Sequence, residues 1–254
     1  MPVTHRFADH RPDRGSDTAG VPWAGRTLTG TGFDDDTGEP DPDLVALLSE
    51  EDPSPADVVA AVAGARLVVP IVAVAGEVDE SSGIPADASS DMASVTLVAP
   101  DGARALPAFT STASLSRWDA GARPVPVTAQ RAALAAVQEG CTVIPLDLPA
   151  PPGAAAYTLS GSMVWALAMR RTWVPAHLDE HVVSAVADGV REEPAVTEHA
   201  LSGATGDLTV ELSLRPGLRA SEVQQILTRV GERLAADAET RARIDAVTFR
   251  ITPA

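Results

Sequence analysis

Three residues in the C-terminal third of the chain have types and spacing suited to metal chemistry. His177, Glu180 and His181 fit the pattern H-x-x-E-H, in which two histidines on one helix face bind zinc and the glutamate acts as a general base. The pattern follows Pro175 closely, and no third ligand stands out. Five-residue patterns also arise by chance, so the alternative is a solvated helix start in which Asp179 and Glu180 complement the helix dipole.

A second polar group lies where a predicted strand gives way to a predicted helix. Thr110 and Ser111 place hydroxyls and N–H groups at this junction, where the positive end of the helix dipole favours an anion. Trp118 and Arg123 follow, and a guanidinium matches a carboxylate or phosphate in a two-pronged geometry. These four residues form a hypothetical site for a small anionic metabolite. The alternative is structural: Ser111 or Thr112 caps the helix, Trp118 lies in the core and Arg123 pairs with an acid.

The other potential nucleophiles form no recognisable catalytic set, and the sequence predicts no cofactor. Cys141 is the single cysteine, which excludes an internal disulfide and multi-cysteine metal sites, and we expect a buried, unreactive thiol. The chain has no lysine, which excludes a P-loop lysine, a pyridoxal Schiff base and a Ser–Lys dyad. Ser162 does not stand in the G-x-S-x-G pattern of hydrolases. The acidic loop at 77–91 lacks EF-hand spacing and is expected to be disordered or functional.

Composition and charge narrow the range of partners. The chain has 254 residues, 19 basic residues that are all arginine, and 35 acids, for a formal net charge of −16. This charge disfavours nucleic acid and anionic lipid as partners. The best candidate for a membrane span, Val58–Gly76, carries Arg66, which costs about 2.5–3.5 kcal/mol at the centre of a span. The first ten residues do not have the pattern of a signal peptide, and we expect a cytoplasmic protein.

The residue pattern predicts a mixed α/β fold in two parts after an acidic, flexible tail at residues 1–40. Asp41-Pro42 and Ser54-Pro55 each predict a capped helix start, and the apolar run Leu67–Ala75 predicts a buried strand. The elements predicted after it are a hairpin of Ser94–Ala99 with Ala103–Phe109, a helix at 112–118, a strand at 124–127, a helix from Thr128, strands at 142–146 and 155–159, and a helix at 162–169. Together they form a predicted mixed-sheet domain at 41–172.

Residues 175–254 are predicted to form a smaller αββαβ domain. Its helices are expected at Leu178–Val190 and after Ser221, where Ser221 and Gln224 fit a capping box. Its strands are expected at Ala195–Leu201, at Leu208–Leu214 and around Val247–Ile251, and the last two show the alternation of a half-buried strand.

Four blocks of sequence, at 91–97, 106–111, 114–119 and 123–127, form a distinctive series. They resemble the N-terminal domain of the SseB ("enhanced serine sensitivity") family, in the version common in high-GC bacteria. Stretches at 23–26 and 214–218 resemble that family's flanking and C-terminal segments. The resemblance spans nearly the whole chain and supplies no catalytic residues. Family members often have a lysine shortly before the first block, where this chain has Ala88.

Three functions remain open on these grounds. The first is a noncatalytic cytoplasmic module that binds a protein partner or a second copy of itself, since half-buried sheets can pair at their edges. The second is a binding protein for an amino acid or a phosphate compound at Thr110, Ser111, Trp118 and Arg123. The third is a zinc hydrolase through His177, Glu180 and His181. The first is our working prediction.

Overall fold

The computed structural model describes residues 32–74, 91–148 and 156–253. Residues from Gly38 onward form one compact unit, and its mixture of helices and strands confirms the predicted α/β class. Just before that unit, the Asp36 N–H donates to the Phe33 carbonyl at 3.1 Å in a turn. The predicted tail at 1–40 and the predicted loop at 77–91 fall largely outside the described residues, so both stay predictions.

Two short helices open the compact unit at the predicted capping residues. The Asp41 carboxylate accepts the first free N–H groups of α1 (Pro42–Leu48), and the Ser54 hydroxyl does the same for α2 (Pro55–Gly64). A proline follows each cap, at a position where its missing N–H leaves no hydrogen bond unmade. Helix α2 then buries Val58, Val59 and Val62 against the core.

The central strand of the N-terminal half is β1 (Arg66–Val74). It pairs antiparallel with β2 (Asp91–Ser94) on one side and with β5 (Arg123–Thr128) on the other. The predicted apolar run is confirmed as a buried strand, since Leu67, Val68 and Val69 are all buried. This three-stranded sheet is the largest in that half.

The remaining strands of this half are shorter than the sequence predicts. The predicted hairpin is confirmed only as β3 (Leu97–Val98) with β4 (Arg104–Ala105), and the two later strands shrink to β6 (Ile144–Pro145) and β7 (Thr158–Leu159). Prolines such as Pro107 interrupt these stretches, and a proline cannot donate to a ladder. Isolated bridges then join the small pairs, including Ala105 to Val143, Ala108 to Leu146 and Phe109 to Val68.

Three further helices complete the N-terminal half, close to their predicted positions. They are α3 (Thr112–Trp118), α4 (Ala129–Gln138) and α5 (Gly161–Ala168). Helix α5 ends at Ala168, and two residues later Arg170 has a φ of 55°, which places a non-glycine residue in the left-handed region. The Arg171 N–H donates back to the Ala166 carbonyl at 2.8 Å, which closes the helix in a Schellman motif.

The C-terminal elements confirm the predicted αββαβ order and add two short elements. A single 3-10 turn (Ala176–Leu178) comes first. The elements after it are α6 (Glu180–Arg191), β8 (Val196–Ser202), β9 (Asp207–Leu214), α7 (Ala220–Ala236), α8 (Ala238–Arg243) and β10 (Ala246–Pro253).

The C-terminal sheet has the order β10-β9-β8. Strand β9 is antiparallel to β8 and parallel to β10, and α7 and α8 form the crossover between the parallel strands. The predicted capping box at Ser221 is wrong, because α7 begins earlier. The Glu222 carboxylate accepts the N–H of Arg219 at 2.7 Å instead, which places Ser221 inside the first turn.

The buried apolar residues form two main clusters along the chain. One extends from Leu44 to Trp173 and lies among α2, α4, α5 and the small sheets. The other extends from Ala176 to Leu234 and lies between β9 and the helices α6 and α7. Both clusters belong to one compact unit, so the predicted domain boundary at 172–175 stays a prediction.

The second cluster is bordered by a buried ion pair network. The Glu193 carboxylate, whose side chain is 3% exposed, accepts two hydrogen bonds from Arg229, at 2.9 and 2.6 Å, and one from Arg233 at 2.8 Å. Arg233 also donates to the Gly189 carbonyl at 2.7 Å. The bonds from Arg229 and then Arg233 hold the pKa of Glu193 below its usual range, even though burial raises it. The network fixes α7 to the end of α6.

We expect Glu193→Gln to lower the free energy of unfolding at pH 7 by about 2 kcal/mol, because it removes the buried negative charge that Arg229 and Arg233 share. Since the pKa of Glu193 is lowered in the folded state, its contribution is present at neutral pH. It is lost as the pH falls below about 4 through the folded pKa.

Urea unfolding at pH 7 and at pH 3 checks this expectation, since the difference in unfolding free energy between wild type and variant should become smaller at the lower pH. The control is Glu192→Gln, which removes a 71% exposed partner of the same Arg233 and should cost less than about 0.5 kcal/mol. Equal losses for the two variants would contradict the network.

Candidate functional site

The predicted anion site at the start of α3 already contains a carboxylate of the protein. Thr110 is buried, and its N–H and hydroxyl both donate to the Asp147 carboxylate, at 2.9 and 2.7 Å. The Thr110 carbonyl accepts from Arg66 at 2.9 Å, and Arg66 also donates to the Glu39 carbonyl at 2.5 Å. We call Thr110, Asp147 and Arg66 the Thr110 clamp. Asp147 has a φ of 54°, in the left-handed region.

Ser111 is the N-cap of α3. Its hydroxyl accepts the Ser114 N–H at 3.0 Å and donates to the Ser114 hydroxyl at 2.9 Å. Arg117 donates to that second hydroxyl at 3.1 Å. Both serines are buried, so these hydroxyls are used within the protein to start the helix.

Trp118 and Arg123 lie apart from these hydroxyl contacts. The Trp118 ring packs on Phe109 with centroids 5.4 Å apart, in a small cluster with Val68 and Leu115. Arg123 is exposed on β5, where it stands opposite Ile71. In the described part of the chain no hydrogen bond or ion pair joins it to the other three candidates.

For Ser111 and Trp118 the structure agrees with the alternative interpretation, in which both residues stabilise the fold rather than bind a ligand. Ser111 caps the helix, and Trp118 packs against the buried Phe109. An added anion at Thr110 would lie beside the Asp147 carboxylate, which costs free energy through repulsion of like charges. The anion site at these positions stays a prediction, and the geometry gives it no support.

We expect Asp147→Ala to lower the free energy of unfolding by about 2 kcal/mol, because it leaves a buried N–H and hydroxyl without an acceptor. Asp147→Asn keeps an oxygen acceptor and tolerates a positive φ, so it should lose less. Urea unfolding measures both, with Asp101→Ala as the control, since the exposed Asp101 accepts the N–H of Ala103 in a turn. A loss no larger than that of the control would contradict a structural role for Asp147.

The H-x-x-E-H residues do not share one helix face. His177 lies in the 3-10 turn and His181 in the first turn of α6, and Asp179 caps α6 between them. Glu180 is exposed. The helix boundary at Asp179 separates the two histidines, so the shared helix face on which the pattern relies is not formed, and the zinc site stays a prediction. The expected solvated helix start is also only partly right, since Asp179 itself is buried.

His181 has another partner. Its Nε2 lies 2.7 Å from Asp237 Oδ2, and Asp237 is the N-cap of α8, where it accepts the N–H and hydroxyl of Thr240. These bonds from Thr240 and then His181 hold the pKa of Asp237 well below its usual range. The pair fastens the start of α6 to the start of α8.

Among the residues that the structure describes, no group of three or more His, Cys, Asp or Glu side chains is placed to hold a metal ion. We therefore expect that neither zinc nor a chelator changes the melting temperature of the purified chain. Differential scanning fluorimetry with ZnCl₂ and with EDTA measures this, with His199→Ala as a control beside His181→Ala. Stabilisation by zinc that is lost only in His181→Ala would contradict the expectation and revive the metal site.

A group of side chains that sequence patterns did not indicate joins the two halves of the compact unit. Asp245 accepts the Ser162 N–H at 2.7 Å and the Ser162 hydroxyl at 3.0 Å, which caps α5 from 83 residues further along the chain. The Trp173 ring N–H also donates to the Ser162 hydroxyl, at 3.0 Å. The Asp245 N–H donates to the Gly206 carbonyl at 2.8 Å, and a methyl group at Gly206 would overlap the Asp245 carboxylate.

Arg243 makes the second part of this junction. Its guanidinium donates to Asp179 and to Glu239, at 2.5 Å each, and lies over the Trp165 ring at 5.0 Å from the centroid. Glu239 also pairs with Arg171 at 3.3 Å. Glu239 and Arg243 have the i,i+4 spacing of a helical ion pair, which was a usable local signal. The contacts of Arg243 with Asp179 and Trp165 were missed because those partners lie on other elements.

Comparison with known proteins identifies the N-terminal half. Residues 43–166 match the family model of the SseB protein N-terminal domain. The chain carries an SseB N-terminal domain. A comparison with curated proteins gives no match, and neither does a comparison with solved structures. The SseB domain contains the Thr110 clamp and most of α5, while the αββαβ part lies outside the matched residues. None of the helices in the described ranges is long and apolar enough to cross a membrane.

Proposed function

We propose that the chain is a noncatalytic, cytoplasmic interaction module that forms a dimer through the outer edge of β10. The observation that carries the proposal is the position of β10 at the end of the β10-β9-β8 sheet. This strand has eight residues, Ala246–Pro253, and pairs with β9 on one side. A long edge strand presents unpaired backbone N–H and C=O groups that can pair with another strand.

The apolar side chains of β10 are incompletely covered. Val247 and Ile251 pair with Leu208 and Leu212 of β9. Both β10 side chains are 41% exposed, whereas the two leucines are 1% and 0% exposed. Between them, Phe249 is half-buried against the same core. The helices therefore cover the β9 row fully and leave the β10 row partly open, so that a further strand could bury more apolar surface.

Two other edges with described side chains carry protection against pairing. Strand β5 contains Pro124 and Pro126, which cannot donate hydrogen bonds outward. Strand β8 contains an irregularity in its register between Val196 and Glu198, and a bulge at an edge hinders pairing. In β10 the first proline is Pro253, at the end of the strand.

The occupant that we propose is the β10 strand of a second copy. In an antiparallel pair centred on Phe249, each Val247 would lie opposite the Ile251 of the other copy, so apolar residues would meet apolar residues on one face. Such a two-fold arrangement uses the same surface twice. The area is small compared with that of obligate dimers, so we expect a reversible, concentration-dependent dimer.

The side chains with types suited to chemistry have structural partners or are buried, which supports a noncatalytic module. Burial raises the pKa of the Cys141 thiol, which keeps it in the unreactive protonated form. The hydroxyls of Thr110 and Ser111 are engaged in the fold, and His181 pairs with Asp237. A single cysteine in 254 residues is in keeping with the cytoplasm.

The test is the mass of the chain in solution at several concentrations, measured by light scattering after size exclusion. We expect wild type to shift from 26.2 kDa toward twice that mass as concentration rises. Val247→Lys should remain a monomer, because a charge facing inward at an edge blocks pairing.

The matched control is Val183→Lys on α6, where the same side chain is 39% exposed; it should behave as wild type. Ile251→Lys provides a second variant, and circular dichroism checks that each variant is folded. A wild-type chain that stays monomeric, or a Val247→Lys variant that dimerises as wild type does, would overturn the proposed function.

A further inference from the structure

A cleft of about 490 Å³ lies within the N-terminal half, among three helices. Helix α2 forms one wall, the start of α4 forms a second, and the end of α5 with the segment after it forms a third. The volume is in the range of small-molecule sites, which is about 300–1,000 Å³. The cleft is separate from the Thr110 clamp and from β10, since none of their residues lines it.

One side of the cleft is apolar and made of small residues. Ala56, Val59, Ala60 and Ala63 of α2 line it, and Leu167 of α5 lies across from them. Longer side chains at the three alanines would extend into this space. Trp173, whose indole N–H donates to Ser162 at 3.0 Å, also lines the cleft. This side suits the hydrocarbon part of a ligand.

The rest of the lining is polar, and its charged residues are all positive. Arg170 and Arg171 line the cleft together with Thr128, Gln130 and Thr172, and no Asp or Glu is among the lining residues. In a chain with a net charge of −16, a cleft whose charged residues are both arginines is a local exception. It favours an anion over a neutral or cationic ligand.

The two arginines are held differently. Arg171 is fixed by its ion pair to Glu239 at 3.3 Å and lies over the Trp165 ring, 5.7 Å from the centroid. Arg170 is exposed, and its side chain makes no hydrogen bond or ion pair with the described residues. Its backbone has a φ of 55° at the end of α5, in a position that glycine usually occupies. Its guanidinium is therefore available to a ligand in the cleft.

We propose that this cleft binds a small organic anion with an apolar body, whose carboxylate pairs with Arg170 and whose hydrocarbon part lies on the alanines of α2. A guanidinium and a carboxylate can form two parallel hydrogen bonds. The apolar wall also buries the hydrocarbon part of the ligand, a contribution that an inorganic anion lacks. The proposal does not depend on the dimer, because it uses other residues.

The test uses hexanoate as the probe. Hexanamide has a similar shape but no charge, and acetate has the carboxylate but lacks the long hydrocarbon part. Binding is followed by isothermal titration calorimetry and by the intrinsic fluorescence of tryptophan, since Trp173 lines the cleft. We expect saturable binding of hexanoate, and much weaker binding of hexanamide and of acetate.

The matched variants are Arg170→Gln and Arg131→Gln. Arg131 is an exposed arginine on α4 that does not line the cleft, and its variant should bind hexanoate as wild type does. Arg170→Gln should weaken hexanoate by about tenfold or more, the loss of a charged hydrogen-bonding partner. Arg170→Gly, which suits a positive φ, gives a second variant without the guanidinium and should show the same loss.

Three results would overturn the proposal. They are the absence of saturable hexanoate binding to wild type, equal binding of hexanoate and hexanamide, and hexanoate binding that Arg170→Gln and Arg170→Gly leave unchanged. The mass measurements on Val247→Lys are unaffected by any of these outcomes, so a failure of the cleft and a failure of the dimer can be told apart.

Discussion

A single guanidinium group contacts elements from both halves of the compact unit. Arg243 donates to Asp179, which caps α6, and to Glu239 on its own helix α8, while its Cζ lies over the ring of Trp165 in α5. A planar fork can satisfy two carboxylates and stack on an aromatic ring at the same time, which an ammonium group cannot do. The start of α6, the end of α8 and the SseB domain thus meet at a single side chain.

The same chemistry recurs because the chain has arginine and no lysine. Arg66 bridges two carbonyl groups beside Thr110, and Arg229 holds Glu193 with two hydrogen bonds. In each case two N–H donors of one guanidinium group are held by acceptors within the protein. Arg170 differs from these, since it makes no such contact among the described residues and lines a cleft instead. Arginine therefore serves two purposes in this chain: most of the arginines named here hold the fold together, and Arg170 can contact a ligand.

Sequence patterns predicted the elements whose signals are local. The caps at Asp41 and Ser54, the apolar run at Leu67 and the alternation in β9 each depend on a few neighbouring residues, and each is confirmed. The SseB resemblance is confirmed over 43–166. The lengths of β3, β4, β6 and β7 were overestimated, because propensity alone does not reveal which stretch finds a partner.

Side-chain contacts across the fold could not be predicted in this way. Asp147 meets Thr110 across 37 residues and Asp245 meets Ser162 across 83, so no spacing in the sequence carries the signal. The single helix face expected for the H-x-x-E-H pattern is absent for a related reason, because the helix begins between the two histidines, at Asp179. Arg66 was a usable signal, since a charge within an apolar strand needs partners. Its two carbonyl partners, however, follow only from the tertiary structure.

The Asp245 cap also has a consequence for the order of folding. Helix α5 belongs to the SseB domain, yet the carboxylate that accepts its Ser162 N–H comes from the loop before β10. That loop is placed only when β10 pairs in parallel with β9, after the α7–α8 crossover has closed. Contacts between distant parts of a chain form late, because the entropy of a long loop must be lost first. The start of α5 should therefore gain protection from hydrogen exchange together with β10, later than the neighbouring helix α4.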